Sequence, residues 1–402
     1  MLGASHKEGG RYVVGPVNGL ASGRYAAARR PIIEELPMTS ALFSPFASRG
    51  MELHDRIVVS PMCQYAAQDG SATDWHIMHL GQFAMGAAGL IIAEATHVAR
   101  NARITHNCLG LYSDENEVQL ARVVGFCRRY GVSKLGVQLA HAGRKASTRV
   151  PLAGGGPLRQ GDDPWQTVGP SAIPYASDWH TPEALDLDGI AQVKRQFVAA
   201  AERAQRIGFD MIELHMAHGY LGHEFLSPLS NRRDDAYGGS RDRRMRFTLE
   251  TFAAVREVWP AEKPIWVRVS ATDWMEGGWD VDDTVALASE LKGLGCDLMD
   301  VSSGGNHPDQ KLVLGPGYQV GFAEKVRREA GIPTMAVGLI TGAQQAEEIV
   351  AGGKADLVAL ARTVMDDPRW AWHAARKLGA EAVYSPMYAR CKPGVWRPAH
   401  ED

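Results

Sequence analysis

Asp210-Met211-Ile212-Glu213-Leu214-His215-Met216-Ala217-His218-Gly219-Tyr220 is an apolar, strand-like run that ends in three acid/base-capable side chains. Alternate residues of a strand face opposite ways, so His215 and His218 cannot share a side if the strand runs through both. Gly219 marks a stop between them. His215 then closes the strand, and His218 and Tyr220 stand on the loop beyond it. For a single histidine the ordinary reading is a hydrogen-bonded core residue; two histidines and a tyrosine at one strand mouth read as chemistry. Zinc is the rival reading, but no cysteine or carboxylate follows at a ligand spacing, so no metal is expected.

Outward from this run, short apolar segments alternate with helix-patterned stretches, the signature of parallel βα units. Eight strands are expected, at residues 57–62, 90–95, 134–139, 210–215, 265–270, 298–302, 334–337 and 357–360. Stretches such as 189–207, 241–258, 281–294 and 344–351 supply crossover helices. The fold class is therefore α/β, a (β/α)8 TIM barrel. A plain barrel needs roughly 250 residues, and the surplus is taken up by a long insertion after strand three and a C-terminal extension. The insertion, residues 142–187, holds six prolines and Gly154-Gly155-Gly156. It would hang over the C-terminal mouth of the barrel as a lid or dimer contact. Residues 1–37, rich in Gly, Ala and Arg, are expected to be an N-terminal extension, poorly ordered or preceding a natural start at Met38. A single domain over 38–402 follows.

Net charge is −3, with 43 basic residues scattered among 46 acidic ones. No electrostatic footprint for nucleic acid or an anionic membrane results, so a small-molecule partner is expected. Cys63, Cys108, Cys127, Cys296 and Cys391 are odd in number and lack a C-x-x-C pair, which excludes a disulfide framework and an iron-sulfur cluster and suits a reducing cytoplasm. No apolar run approaches the roughly 20 residues of a membrane span. Neither a G-x-G-x-x-G nor a Walker motif occurs.

The unusual residues gather at predicted strand ends: Ser60 to Tyr65, Ala93 to Thr96, Gln138 to His141, Arg268, Gly338 and the Ala361-Arg362 pair. After strands seven and eight, barrels of this kind commonly hold a phosphate through backbone N–H groups, which gives Gly338, Ala361 and Arg362 a role. Gln138 and Arg268 beside such a clamp would suit the polar edge of flavin mononucleotide.

The stretches Pro61-Met62-Cys63-Gln64-Tyr65, Gln138-Leu139-Ala140-His141-Ala142-Gly143-Arg144-Lys145, Glu213 to Leu221, Tyr237-Gly238-Gly239-Ser240 and Ala336 to Ile340 resemble the Old Yellow Enzyme family of flavin ene-reductases. The Cys63/Tyr65 pairing is similar to its thermophilic-like, xenobiotic-reductase subgroup. This resemblance implies bound FMN, NADPH or NADH as hydride donor, and ping-pong reduction of enones, enals and maleimides, with nitro compounds as further oxidants. It implies that His215 and His218 bind the substrate carbonyl, that Tyr220 donates the proton, that Tyr65 orients the substrate and that Cys63 touches the flavin and modulates its potential. Flavin contacts would come from Pro61, Met62, Cys63, Ala93, Gln138, Arg268, Gly304, Gly338, Ala361 and Arg362. Tyr388-Ala389-Arg390 resembles the segment that reaches an arginine into the neighbouring subunit's site, so a homodimer or homotetramer is expected. A non-redox phosphosugar isomerase or lyase could use the same phosphate site; it would lack flavin absorbance near about 450 nm.

Overall fold

The computed structural model describes residues 40–86 and 88–396; the extension expected at 1–37 lies outside them. Eight parallel strands, β1 (Ile57–Val59), β2 (Leu90–His97), β3 (Lys134–Ala140), β4 (Met211–Met216), β5 (Ile265–Ser270), β6 (Leu298–Ser302), β7 (Thr334–Ala336) and β8 (Leu357–Leu360), close into a barrel in sequence order. β8 pairs with β1 and every rung is parallel. This is the TIM barrel that the alternation of strand and helix signals implies.

The helices are α1 (Asp74–Ala84), α2 (Asp114–Tyr130), α3 (Leu187–Ile207), α4 (Leu221–Leu226), α5 (Arg241–Val258), α6 (Val281–Gly293), α7 (Val320–Ala330), α8 (Ala343–Ala351), α9 (Arg362–Asp366) and α10 (Trp370–Leu378). α3 illustrates why they form. Asp186 caps it by accepting from the Gly189 N–H at 2.7 Å, Gly208 stops it at φ +96°, and Ile190, Val193, Phe197, Ala201 and Ala204 make one buried stripe. No helix among the described residues is long and apolar enough to cross a membrane.

Strand ends differ from expectation by a few residues. β1 stops at Val59 because Pro61 has no N–H to donate. β2 runs on to His97 through a bulge between Ala93 and Thr96, and β4 ends at Met216, one residue past His215. A short antiparallel hairpin, Phe46–Ser48 with Met51–Leu53, sends Met51 and Leu53 into the N-terminal end of the barrel. There Trp266 donates its indole N–H to Ser48 Oγ at 3.3 Å. The insertion lies against the opposite end: Arg144 donates to Ile173 O, Pro174 O and Asn306 O, and the Trp165 indole donates to Asn101 O.

Candidate active site

Strand alternation builds the site in tiers. β4 sends Met211, Glu213 and His215 inward, β5 Trp266, Arg268 and Ser270, and β6 Leu298, Asp300 and Ser302. Met211, Trp266 and Leu298 form an apolar floor with residues of the other strands, while Ile212, Leu214, Val267, Val269 and Val301 face the helices. Above the floor comes a charged tier. Arg268 Nε stands 3.2 Å from Asp300 Oδ2, and its Nη1 donates to Ser60 Oγ at 3.2 Å. Gln138 donates from Nε2 to Glu213 Oε1 at 2.7 Å. Burial pushes both Glu213 and Asp300 above the ordinary carboxylate range, and Asp300 adds to the rise of Glu213. A single guanidinium offsets a single carboxylate, so the pair retains a proton.

The mouth holds the acid/base groups. His215 Nδ1 accepts from the Ala217 N–H at 3.3 Å, so its neutral ring keeps the proton on Nε2. His218 has φ +59° and donates its backbone N–H to Ser270 Oγ at 2.9 Å; its Nε2 lies 2.8 Å from Ser302 Oγ. Ser302 Oγ has a single proton and a second acceptor in Val269 O at 3.1 Å; when it donates to the ring instead, His218 carries its proton on Nδ1. Burial, with Arg268 adding to it, lowers both imidazoles well below the usual histidine value and keeps them neutral. The His218 and Tyr220 rings meet His215 edge-on, with centroids at 5.1 and 5.0 Å. Burial, then Cys63 and Tyr65, raises the Tyr220 phenol, so it stays protonated. Cys63, Tyr65 and Tyr220 pack together on Ile104, Cys108, Ala142 and Ala146. Burial, then Glu94, holds Cys63 as the thiol.

Beside this cluster lies a cavity of about 470 Å³ lined by His218, Arg268, Gly338, Ala361 and Arg362, among others. Gly338 has φ +117°, and a Cβ there would come within 2.6 Å of Gln319 Nε2, so only glycine keeps this wall open. Among the expected cofactor residues, Gln138 is buried within the barrel, Ala93 is buried among the residues that face the helices, and Pro61, Met62 and Cys63 are half-buried beyond the end of β1. Gly305, not Gly304, lines the cavity; Gly304 O accepts from Ser270 Oγ. Arg390 is exposed on the turn Pro386–Cys391 and does not line the cavity.

Three neighbours escaped the sequence reading. Lys145 donates from Nζ to His218 O and Gly305 O, both at 2.8 Å, and stands 5.2 Å from the Tyr220 ring centre. Burial, then Arg144, lowers it to about 8. Tyr175, from the insertion, covers the same ammonium at 4.8 Å. Glu224, fully buried on α4, accepts from the Arg144 N–H at 2.8 Å, and burial pushes it up to about 8. The only advance signals were Arg144 and Lys145 within a quoted motif.

Glu224 has a consequence for stability. The folded chain keeps a proton that the unfolded chain releases near the ordinary value of 4.5, so stability falls as pH rises from there to about 8. Glu224→Gln should remove this slope, gaining roughly 2–4 kcal/mol on the parent between pH 5 and pH 8 in urea titrations. Parallel pH profiles for the two proteins would contradict the assignment.

The NADH:flavin oxidoreductase / NADH oxidase family model matches residues 41–381. The chain is 46% identical over 355 residues to an NADPH dehydrogenase of Geobacillus sp. (strain WCH70), covering 88% of this chain and 99% of that one. It is 43% identical over 356 residues to an NADPH dehydrogenase of Bacillus subtilis (strain 168), covering 88% and 99%. Among solved structures it is similar to a morphinone reductase, at a TM-score of 0.72 and 28% identity over 90% of this chain and 94% of that one. With these matches and a barrel whose mouth gathers His215, His218 and Tyr220 beside a glycine-walled cavity, the chain belongs to the NADH:flavin oxidoreductase / NADH oxidase family, the Old Yellow Enzymes, as an FMN-dependent oxidoreductase.

Proposed function

We propose that the protein reduces the activated C=C bond of α,β-unsaturated carbonyl compounds (enones, enals and maleimides) with NADPH or NADH as hydride donor. What carries this reading is the convergence of two neutral imidazoles and a protonated phenol on one opening, with centroids at 5.0 and 5.1 Å from His215. The NADPH dehydrogenase relatives support the choice of donor.

The residues fit FMN. Arg268 brings a buried guanidinium to the cavity wall, Gly338 lets the backbone approach closely, and Arg362 offers a cation to the phosphate. Pro61, Met62, Cys63, Ala93, Gln138, Gly305 and Ala361 would complete the contacts. When bound, FMN supplies the hydride carrier, accepting from the nicotinamide and giving to the substrate Cβ. His215 Nε2–H and, in the tautomer in which Ser302 donates to its Nε2, His218 Nδ1–H donate to the substrate carbonyl oxygen and stabilise the negative charge that grows there. Tyr220 gives its hydroxyl proton to Cα and recovers it from solvent. Tyr65, held at φ +52° against Tyr220 and Cys63, orients the substrate.

An anaerobic titration tests the reading. NADPH should bleach the flavin band of the purified protein, and 2-cyclohexenone should restore it. A protein that binds no FMN, or whose bleached band persists with the enone, would falsify the proposal.

We infer further that the cytoplasmic enzyme is a homodimer or homotetramer in which Arg390 enters the neighbouring site. In support, Met387, Val395 and Trp396 around it are exposed by 72%, 66% and 52%, an apolar surface that association would cover. Sedimentation should show a dimer or tetramer; a monomer whose activity is independent of concentration and indifferent to Arg390→Ala removes this part.

A further inference from the structure

Behind the turn that carries His218 and Tyr220 lies a buried pair that the proposed chemistry does not use. Gly219, between those two residues, donates its N–H to His223 Nδ1 at 2.9 Å. Its φ is +72°, and a Cβ would collide with Gly305 O, so the turn sits flush against the loop after β6. His223 Nε2 lies 2.9 Å from Asp273 Oδ1, with both side chains at 0% exposure. Neither atom makes an aligned hydrogen bond among the described residues, so their link is a close buried contact. An Nδ1 that accepts from an amide carries no proton, which leaves the ring proton on Nε2, the nitrogen beside Asp273. Burial pushes Asp273 up, but His223, the Ser227 hydroxyl at 2.6 Å and the Trp279 amide at 2.7 Å outweigh it and hold the carboxylate low. Asp273 is anchored in turn, its N–H donating to Trp279 O at 2.9 Å.

We infer that His223 and Asp273 are positioning residues that set the Gly219 turn and, through it, the aim of His218 and Tyr220 at the substrate; this rests on the roles proposed above for those two. Lys145 grips the same turn from the front, at His218 O and Gly305 O. The clamp thus closes on both faces of a three-residue segment, and its rear jaw is the His223–Asp273 pair.

Two substitutions separate the contacts. Asparagine places an amide oxygen near the Nδ1 position and still accepts from Gly219; glutamine places its amide nitrogen near the Nε2 position and reaches only Asp273. On the FMN-loaded full chain, p-nitrophenol affinity is read by spectral titration, alongside the two half-reactions, FMN content and melting temperature. His223→Gln should weaken p-nitrophenol binding and slow the enone half-reaction, each roughly 10-fold or more, and His223→Asn should recover most of both losses. Equal losses in the two variants that track melting temperature, or no loss in His223→Gln, overturn the inference. Phenol binding involves no proton delivery, so if Tyr220→Phe proves indifferent and the donor reading fails, the affinity comparison still decides on the clamp.

Discussion

Tyr220→Phe should slow 2-cyclohexenone reduction by roughly 10²–10⁴-fold and leave bleaching by NADPH within about threefold of the parent rate. The change removes one hydroxyl and keeps the ring whose edge meets His215 at 5.0 Å, so the pocket's shape survives. The asymmetry between half-reactions follows because only the second needs a proton at carbon. Since burial raises the phenol above its ordinary value, the parent's enone half-reaction should show no alkaline fall below the usual tyrosine range. Stopped-flow rates for each half-reaction decide the matter, and equal losses in both would remove Tyr220 as donor.

Arg268→Met should yield a protein that is purified largely without FMN and is destabilised by about 3–5 kcal/mol. Asp300 and Glu213 are both fully buried, and Arg268 is the cation facing Asp300, 3.2 Å away. Removing it leaves a carboxylate in the barrel with no counter-charge, and the cavity wall loses its guanidinium. The double change Arg268→Met/Asp300→Asn separates the effects. It should regain most of the stability, because the uncompensated charge is gone, yet still fail to retain FMN. Full FMN content and unchanged stability in the single variant would exclude both roles.

The alternation of β4 was legible because a period of two sorts Met211, Glu213 and His215 onto one side whatever the neighbouring strands do. The same rule exposed the break after His215, while Arg268 was picked out by its place at a predicted strand end. It did not give Glu213 and Asp300 a role, since their meaning depends on lying either side of Arg268 across two strand pairings. The left-handed backbone at Tyr65 and His218 was equally hidden. Neither is a residue type that announces such a conformation, and of the order of 1–3 kcal/mol of strain at each is met by packing that only the closed barrel provides. Lys145 stayed unassigned because its reach to His218 O and Gly305 O spans 73 and 160 residues of chain. Arg390, picked out by resemblance, is exposed and does not line the cavity of its own chain.

The hairpin that drives Met51 and Leu53 into the base of the barrel closes that end, and the cavity lined by His218 and Arg268 lies at the other. Under the proposed chemistry, reductant and oxidant would use that opening in turn, and an excess of either would hold the other outside. Access would then be set at the rim, where Tyr175 and the rest of the insertion stand, while the chemistry stays in the strands. Changes to that rim can alter which guests pass without rewriting what happens to them inside.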